Sequence, residues 1–127
     1  MKFPKTRLTS VLAVAVAIGL VVPAIAGTVF DGAYRGPSKV VAGGESLCGK
    51  DFVVAKTVRN GSFDYNWNPR DSGVLVVSIA DDGKVSGRKD YSAKMRVEAS
   101  GMATQAGLEI DLVGLECKRH LSLKRQR

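Results

Sequence analysis

From Gly27 onward apolar and polar residues alternate with a period of two, glycine-containing turns interrupt the alternation, and no stretch sustains a helical period. The pattern predicts β-strands with one buried face. Its clearest unit runs from Phe52 to Trp67 around Asn60-Gly61, a dipeptide whose residues both accept the left-handed conformation of a two-residue hairpin turn. With Arg59 facing Ser62, Val58 falls opposite Phe63, Lys56 opposite Tyr65 and Val54 opposite Trp67. One face then collects Phe52, Val54, Val58, Phe63, Tyr65 and Trp67, while Thr57, Arg59, Ser62, Asp64 and Asn66 take the other.

A second hairpin spans Val74 to Arg88 around Asp81-Asp82-Gly83. A three-residue loop with Gly83 as its left-handed residue sets Ile79 opposite Val85 and Val77 opposite Gly87, whereas a two-residue loop would set Ile79 against Ser86, so the longer loop is expected. Met95, Val97 and Ala99 then alternate with Lys94, Arg96 and Glu98, and Leu108, Ile110 and Leu112 with Glu109 and Asp111. In the last strand Leu115, Cys117, Arg119, Leu121 and Leu123 share one face, opposite Glu116, Lys118, His120, Ser122 and Lys124. Near the start, Phe30–Tyr34 and Lys39–Val41 read as one or two short strands broken by Gly36-Pro37. The fold class is therefore all-β, an antiparallel meander of about seven or eight short strands forming a small barrel or a sandwich. Closure that brings the first and last strands together favours the barrel.

The residues before Gly27 follow another logic. Lys2, Lys5 and Arg7 precede an uncharged apolar run, Leu8–Val22, and then Pro23 and Ala24-Ile25-Ala26. That is the order of a cleavable signal peptide, residues 1–26, with the cut expected between Ala26 and Gly27. The apolar run is 15 residues long, short of the roughly 20 that a membrane helix needs, and no cysteine follows it directly to carry a lipid. Residues 27–127 are expected to form one exported β-domain, periplasmic or secreted, with no membrane span after processing.

Export changes how charge and cysteines read. The formal net charge is +7, but three cations lie in the leader and five more, Lys118, Arg119, Lys124, Arg125 and Arg127, fall in the last ten residues. Residues 27–117 hold 11 Lys and Arg against 12 Asp and Glu, so the body is neutral and the C-terminal end basic. No aromatic residue is interleaved with those cations, which counts against nucleic acid and leaves either a solvated end or contact with anionic lipid, lipopolysaccharide or an acidic partner. Two cysteines in an oxidising compartment predict a disulfide, Cys48 to Cys117. Closing a loop of that length contributes about 4 kcal/mol in the chain-entropy picture. With one histidine and no Cys-x-x-Cys spacing, no metal site and no cofactor is expected.

Phe30-Asp31-Gly32-Ala33-Tyr34-Arg35-Gly36, Val58-Arg59-Asn60-Gly61-Ser62-Phe63, the Asp82-Gly83 hairpin ending in Ser86-Gly87, and Cys117 in a basic final strand occur in an order that resembles small exported bacterial β-proteins opening with Phe-Asp-Gly-x-Tyr-x-Gly and closing with a cysteine strand. The resemblance implies export, a β-fold and the disulfide, and it supplies no catalytic or binding residue.

Candidates for chemistry are few. His120 is the sole histidine available to activate a nucleophile, and it sits beside Lys118 and Arg119 on a polar strand face, as a structural histidine would. Asp31, Asp51, Asp64, Asp71, Asp81, Asp82 and Asp90 all suit turns or the surface. Asn60-Gly61-Ser62 fits a glycosylation acceptor, but the turn alone accounts for it. Tyr34, Tyr65 and Trp67 suit core packing, with Trp67 at a strand end the one most able to meet a ligand. Lys56 and Arg119 interrupt apolar faces, and such charges must reach solvent, pair with an acid or line a cavity for an anionic ligand. Lys56, Trp67 and Arg119 are thus the candidate binding residues, and no catalytic residue is assigned. The reading that follows is a non-catalytic binding or interaction module of the periplasm or cell envelope, with an envelope protein, a glycan or an anionic ligand as partner. An inhibitor of an envelope-attacking hydrolase such as a lysozyme or protease, and a small enzyme using acids with Lys56 or Arg119, are the alternatives.

Overall fold

A computed structural model describes residues 27–67, 74–114 and 116–127. The leader over residues 1–26 with its cleavage point after Ala26, together with Asp71 and Leu115, lies outside the described residues. Eight strands follow one another: β1 (Gly32–Ala42), β2 (Phe52–Val58), β3 (Ser62–Tyr65), β4 (Leu75–Ile79), β5 (Lys84–Ser92), β6 (Met95–Ala103), β7 (Gly107–Gly114) and β8 (Cys117–Arg125). One helical turn, α1 (Gly44–Cys48), joins β1 to β2. All paired neighbours are antiparallel, in the order β2-β1-β8-β7-β6-β5-β4-β3, and the sheet curls into a nearly closed barrel.

Alternation supplies the core, as the period-two pattern requires. Val54, Val58, Phe63, Tyr65, Leu75, Val77, Ile79, Val97, Leu108, Ile110, Leu112, Leu121 and Leu123 all point inward and are buried, so side chains fill the barrel. The Asp81–Gly83 loop has the expected three residues: the Gly83 N–H donates to the Ala80 carbonyl, Gly83 has φ of 94°, and Ile79 faces Val85. The expected disulfide joins Cys48, at the end of α1, to Cys117, the first residue of β8.

Two expectations change. The first strand is not broken at Gly36-Pro37; β1 runs through both residues over Gly32–Ala42, with Pro37 opposite Val53 on β2. Gly36 is needed there because a Cβ would collide with the backbone carbonyl of Ser122 on β8. The expected basic last strand forms: Cys117–Arg125 lies centrally in the sheet, hydrogen-bonded to β1 on one side and β7 on the other.

The Asn60-Gly61 hairpin also differs beyond its first pair. Asn60 and Gly61 take φ of 53° and 74°, and Arg59 and Ser62 exchange both backbone hydrogen bonds, as the register requires. Past that bridge the strands part, and Val58, Lys56 and Val54 are not paired with Phe63, Tyr65 and Trp67. β2 instead follows β1 over seven paired positions and β3 follows β4 over four, so each strand obeys its better-bonded neighbour and a seam opens between them. Facing survives the loss of pairing: Val54, Val58, Phe63 and Tyr65 are buried, while Phe52, at the wide end of the seam, is exposed.

The point where the seam closes is held from the N-terminal side. One Asp31 carboxylate accepts the N–H groups of Asn60 and Gly61, each at 2.9 Å. Asp31 is fixed in turn by its neighbours: the buried Tyr34 hydroxyl donates to the Phe30 carbonyl at 2.6 Å, and Arg125 donates to the Asp31 carbonyl at 2.7 Å with its guanidinium over the Tyr34 ring. The Phe-Asp-Gly-x-Tyr-x-Gly stretch is therefore a set of fastenings for one end of the barrel. Replacing Asp31 by Ala leaves two turn N–H groups without their acceptor and is expected to cost about 1–2 kcal/mol, read from urea unfolding with the disulfide intact; Asp31→Asn, which keeps one carbonyl oxygen, costs less.

Candidate functional site

Outward positions on β1 and β8 carry Arg35, Lys39, Lys118 and Lys124, all exposed. Their pairing was invisible without the topology. Arg35 faces Lys124 directly across the β1–β8 ladder, and Lys39 faces His120. Counting whole strands, β1, β2 and β8 hold Arg35, Lys39, Lys56, Lys118, Arg119, Lys124 and Arg125 and no acid. The opposite half is balanced: β5, β6 and β7 hold Lys84, Arg88, Lys89 and Arg96 with Asp90, Glu98, Glu109 and Asp111. There Asp90 bonds Arg96 at 2.8 Å and lies 3.6 Å from Arg88.

Within the basic face, none of Arg35, Lys39, Lys118 and Lys124 forms an ion pair within 4.0 Å among the described residues, and the acid that Lys124 acts on, Glu109, stands on the neighbouring β7. Like charges set directly opposite each other destabilise a sheet by about 0.2–1 kcal/mol. Arg35 and Lys124 are such a pair. Exposed apolar residues lie between the cations: Val41 and Val53 are 54% and 58% exposed, and Pro37 and Ala55 are exposed as well.

His120 marks the border with β7. Its Nδ1 lies 2.8 Å from Asp111 and its Nε2 2.8 Å from Glu109, while the Ser122 hydroxyl donates to the other Glu109 oxygen at 2.7 Å. Serine, histidine and acid thus meet, but not as a nucleophile and its base. Both imidazole nitrogens face carboxylates, and Ser122 bonds Glu109, so no ring nitrogen is placed to take the serine proton. The hydrogen bonds His120 donates to Asp111 and then to Glu109 raise its pKa above the ordinary histidine value. Desolvation acts to raise Glu109, but hydrogen bonds from His120 and Ser122 outweigh it and the net shift is downward.

Arg119 and Lys56 have separate fates. Arg119 is 5% exposed. One guanidinium nitrogen donates to the Ser38 carbonyl and hydroxyl at 3.3 and 3.2 Å, the other to the Cys48 and Lys50 carbonyls at 2.6 and 2.8 Å, and the Phe52 ring covers the group at 4.9 Å. It neither reaches solvent nor meets an acid; it ties the backbone around the disulfide to β1. The same network continues from the Ser38 hydroxyl to Tyr65 at 3.2 Å, and desolvation leads the causes that raise the Tyr65 pKa. Lys56 is half-buried in the seam, in a groove of about 240 Å³ with Phe52, Val53, Val54, Tyr65 and Asn66. Trp67 is partly buried on the core with its ring against Gly114, where a Cβ would come within 2.6 Å of it. Phe52 joins two of the three candidate binding residues, covering Arg119 and lining the groove of Lys56.

The acids are engaged locally. Asp51 accepts the Val40 N–H at 2.8 Å and Asp82 the Lys84 N–H at 2.9 Å. Among the described residues no group of three or more His, Cys, Asp or Glu is arranged to hold a metal ion. Compared with known proteins, the chain matches no family model, no curated protein and no solved structure.

Two predictions follow from this geometry. Arg119→Lys loses the two-sided fork and lowers stability by about 2 kcal/mol in urea unfolding, while Lys56→Gln changes it by less than about 0.5 kcal/mol. For His120, the raised pKa means its contribution is complete at low pH and is lost as pH rises through the folded-state value. The lowered Glu109 pKa means its contribution is lost as pH falls through its own folded-state value. The cluster is thus most stabilising between the two, and because its members are partly exposed the effect is below about 1 kcal/mol. An NMR titration of His120 is expected to give a midpoint above that of free histidine, and Glu109→Gln to lower it.

Proposed function

We propose that the chain is an exported, non-catalytic binding module of the periplasm or cell envelope, and that the outer face of β2, β1 and β8 is its working surface. The observation that carries this reading is the Arg35–Lys124 pair, like charges held in register with no acid on three adjacent strands. A sheet gains nothing in stability from that arrangement, and an anionic partner would convert the repulsion into binding energy. The filled interior supports a surface role over an enclosed ligand. Export rests on the leader sequence, and the disulfide suits an oxidising compartment.

The reading separates stability from binding. Arg35→Glu places an acid opposite Lys124, so it is expected to raise stability by about 0.5 kcal/mol and yet weaken retention on the envelope. The test is sedimentation of the purified processed protein with washed envelope fragments. Wild type is expected to pellet at low ionic strength and to be released by salt, and Arg35→Glu to remain largely in the supernatant. Retention that ignores both salt and this substitution, or no retention, would overturn the assignment.

A further inference from the structure

Building on that reading, we infer that the β2-β1-β8 face docks on the surface of an anionic phospholipid bilayer. Four features of the face favour a lipid surface. First, neither described depression is lined by Arg35, Lys39, Lys118 or Lys124: one of about 320 Å³ is lined by Lys94, Arg96, Glu98, Val113 and Gly114, and one of about 240 Å³ lies in the seam at the β2 edge of the face, where Val53 and Ala55 border it. A surface without a pocket suits an extended partner better than a small anion.

Second, three of the four outward cations, Lys39, Lys118 and Lys124, are lysines. Lysine is a rotatable point charge that answers to a potential and imposes no fixed fork geometry, which fits mobile headgroup phosphates. Third, the apolar residues between them are aliphatic: Val41, Val53, Pro37 and Ala55. Valines beside lysines can enter the headgroup boundary while the lysine stems lie along it and the ammonium groups stay among phosphates. The exposed aromatic of these strands, Phe52, sits at the seam and covers Arg119, so the cations of β1 and β8 have no aromatic residue interleaved for stacking bases.

Fourth, the charge is laid out for lying on a membrane and not for crossing one. A spanning barrel needs an apolar outer band all round, whereas outward positions here carry Arg35, Lys39, Arg88, Arg96, Lys118 and Lys124. The opposite half, with its balanced charges and ion pairs, would face water.

The experiment is co-sedimentation of the purified processed protein with phosphatidylcholine vesicles, with and without phosphatidylglycerol. Capture by the anionic vesicles is expected to exceed capture by the neutral ones by at least about tenfold and to fall with salt, since each cation near an anionic leaflet adds a several-fold factor. Lys39→Glu with Lys124→Glu is expected to remove at least about tenfold of the binding by the same arithmetic, while the like-sized change Lys84→Glu with Arg88→Glu on β5 leaves most of it. Val41→Ser with Val53→Ser, at unchanged charge, is expected to weaken capture about threefold or more. Circular dichroism and urea midpoints establish that each variant is folded. Equal capture by both vesicle types, or loss of binding through the β5 change but not the β1–β8 change, overturns the inference. So does retention on immobilised polyglutamate without capture by anionic vesicles. If envelope fragments bind and anionic vesicles do not, the lipid assignment fails and the binding-module reading stands; if neither binds, both fail.

Discussion

The barrel depends on a single point of closure. Seven of its eight strand junctions are hydrogen-bonded ladders, but β2 and β3 meet only at the Arg59–Ser62 bridge. What holds that bridge is a carboxylate from outside the hairpin, Asp31, accepting both N–H groups of the turn. Because Arg125 and Tyr34 fix the segment bearing Asp31, the first strand, the last strand and the turn share one network. At the far end the disulfide and Arg119 do comparable work, binding the β1–β2 connection to β8. The two fastenings leave the middle to ordinary aliphatic packing.

How far the fold was legible can be judged residue by residue. Period-two alternation identified the inward residues of β3, β4, β6, β7 and β8, and the competition between Ser86 and Val85 as the partner of Ile79 selected the loop length. These are local signals, set by neighbours in sequence and by turn chemistry. The seam was not legible, because the Asn60-Gly61 turn specifies its first pair only and the divergence comes from bonds that β2 and β3 make to other strands. Gly36-Pro37 looked like a break for a similar reason. The glycine marks a close approach of β8, a strand more than eighty residues away in sequence.

The candidate surface shows the same division. Lys118, His120 and Lys124 were assignable to a polar face from β8 alone, whereas Arg35 and Lys39 fell on either side of the expected break at Gly36-Pro37 and were given no face. That the two rows lie side by side depends on barrel closure, and so the last ten residues read as a basic end when they belong to a basic face. Arg119 illustrates the opposite error of local reading. An arginine on an apolar face suggests solvent, an acid or a cavity for an anionic ligand, but here the acceptors include main-chain carbonyls of the β1–β2 connection, whose position no periodicity can give.

Lys56 gives the seam a further consequence. A strand whose edge is open offers unpaired N–H and carbonyl groups to any passing chain, the usual start of edge-to-edge assembly. Here that edge carries an inward-turned lysine, half-covered and without an ion pair among the described residues. A second copy of β2, itself free of acids, would have to bury that ammonium unneutralised to join the sheet. The incomplete barrel can therefore keep its open side in water at high local concentration, guarded against self-association by one charge.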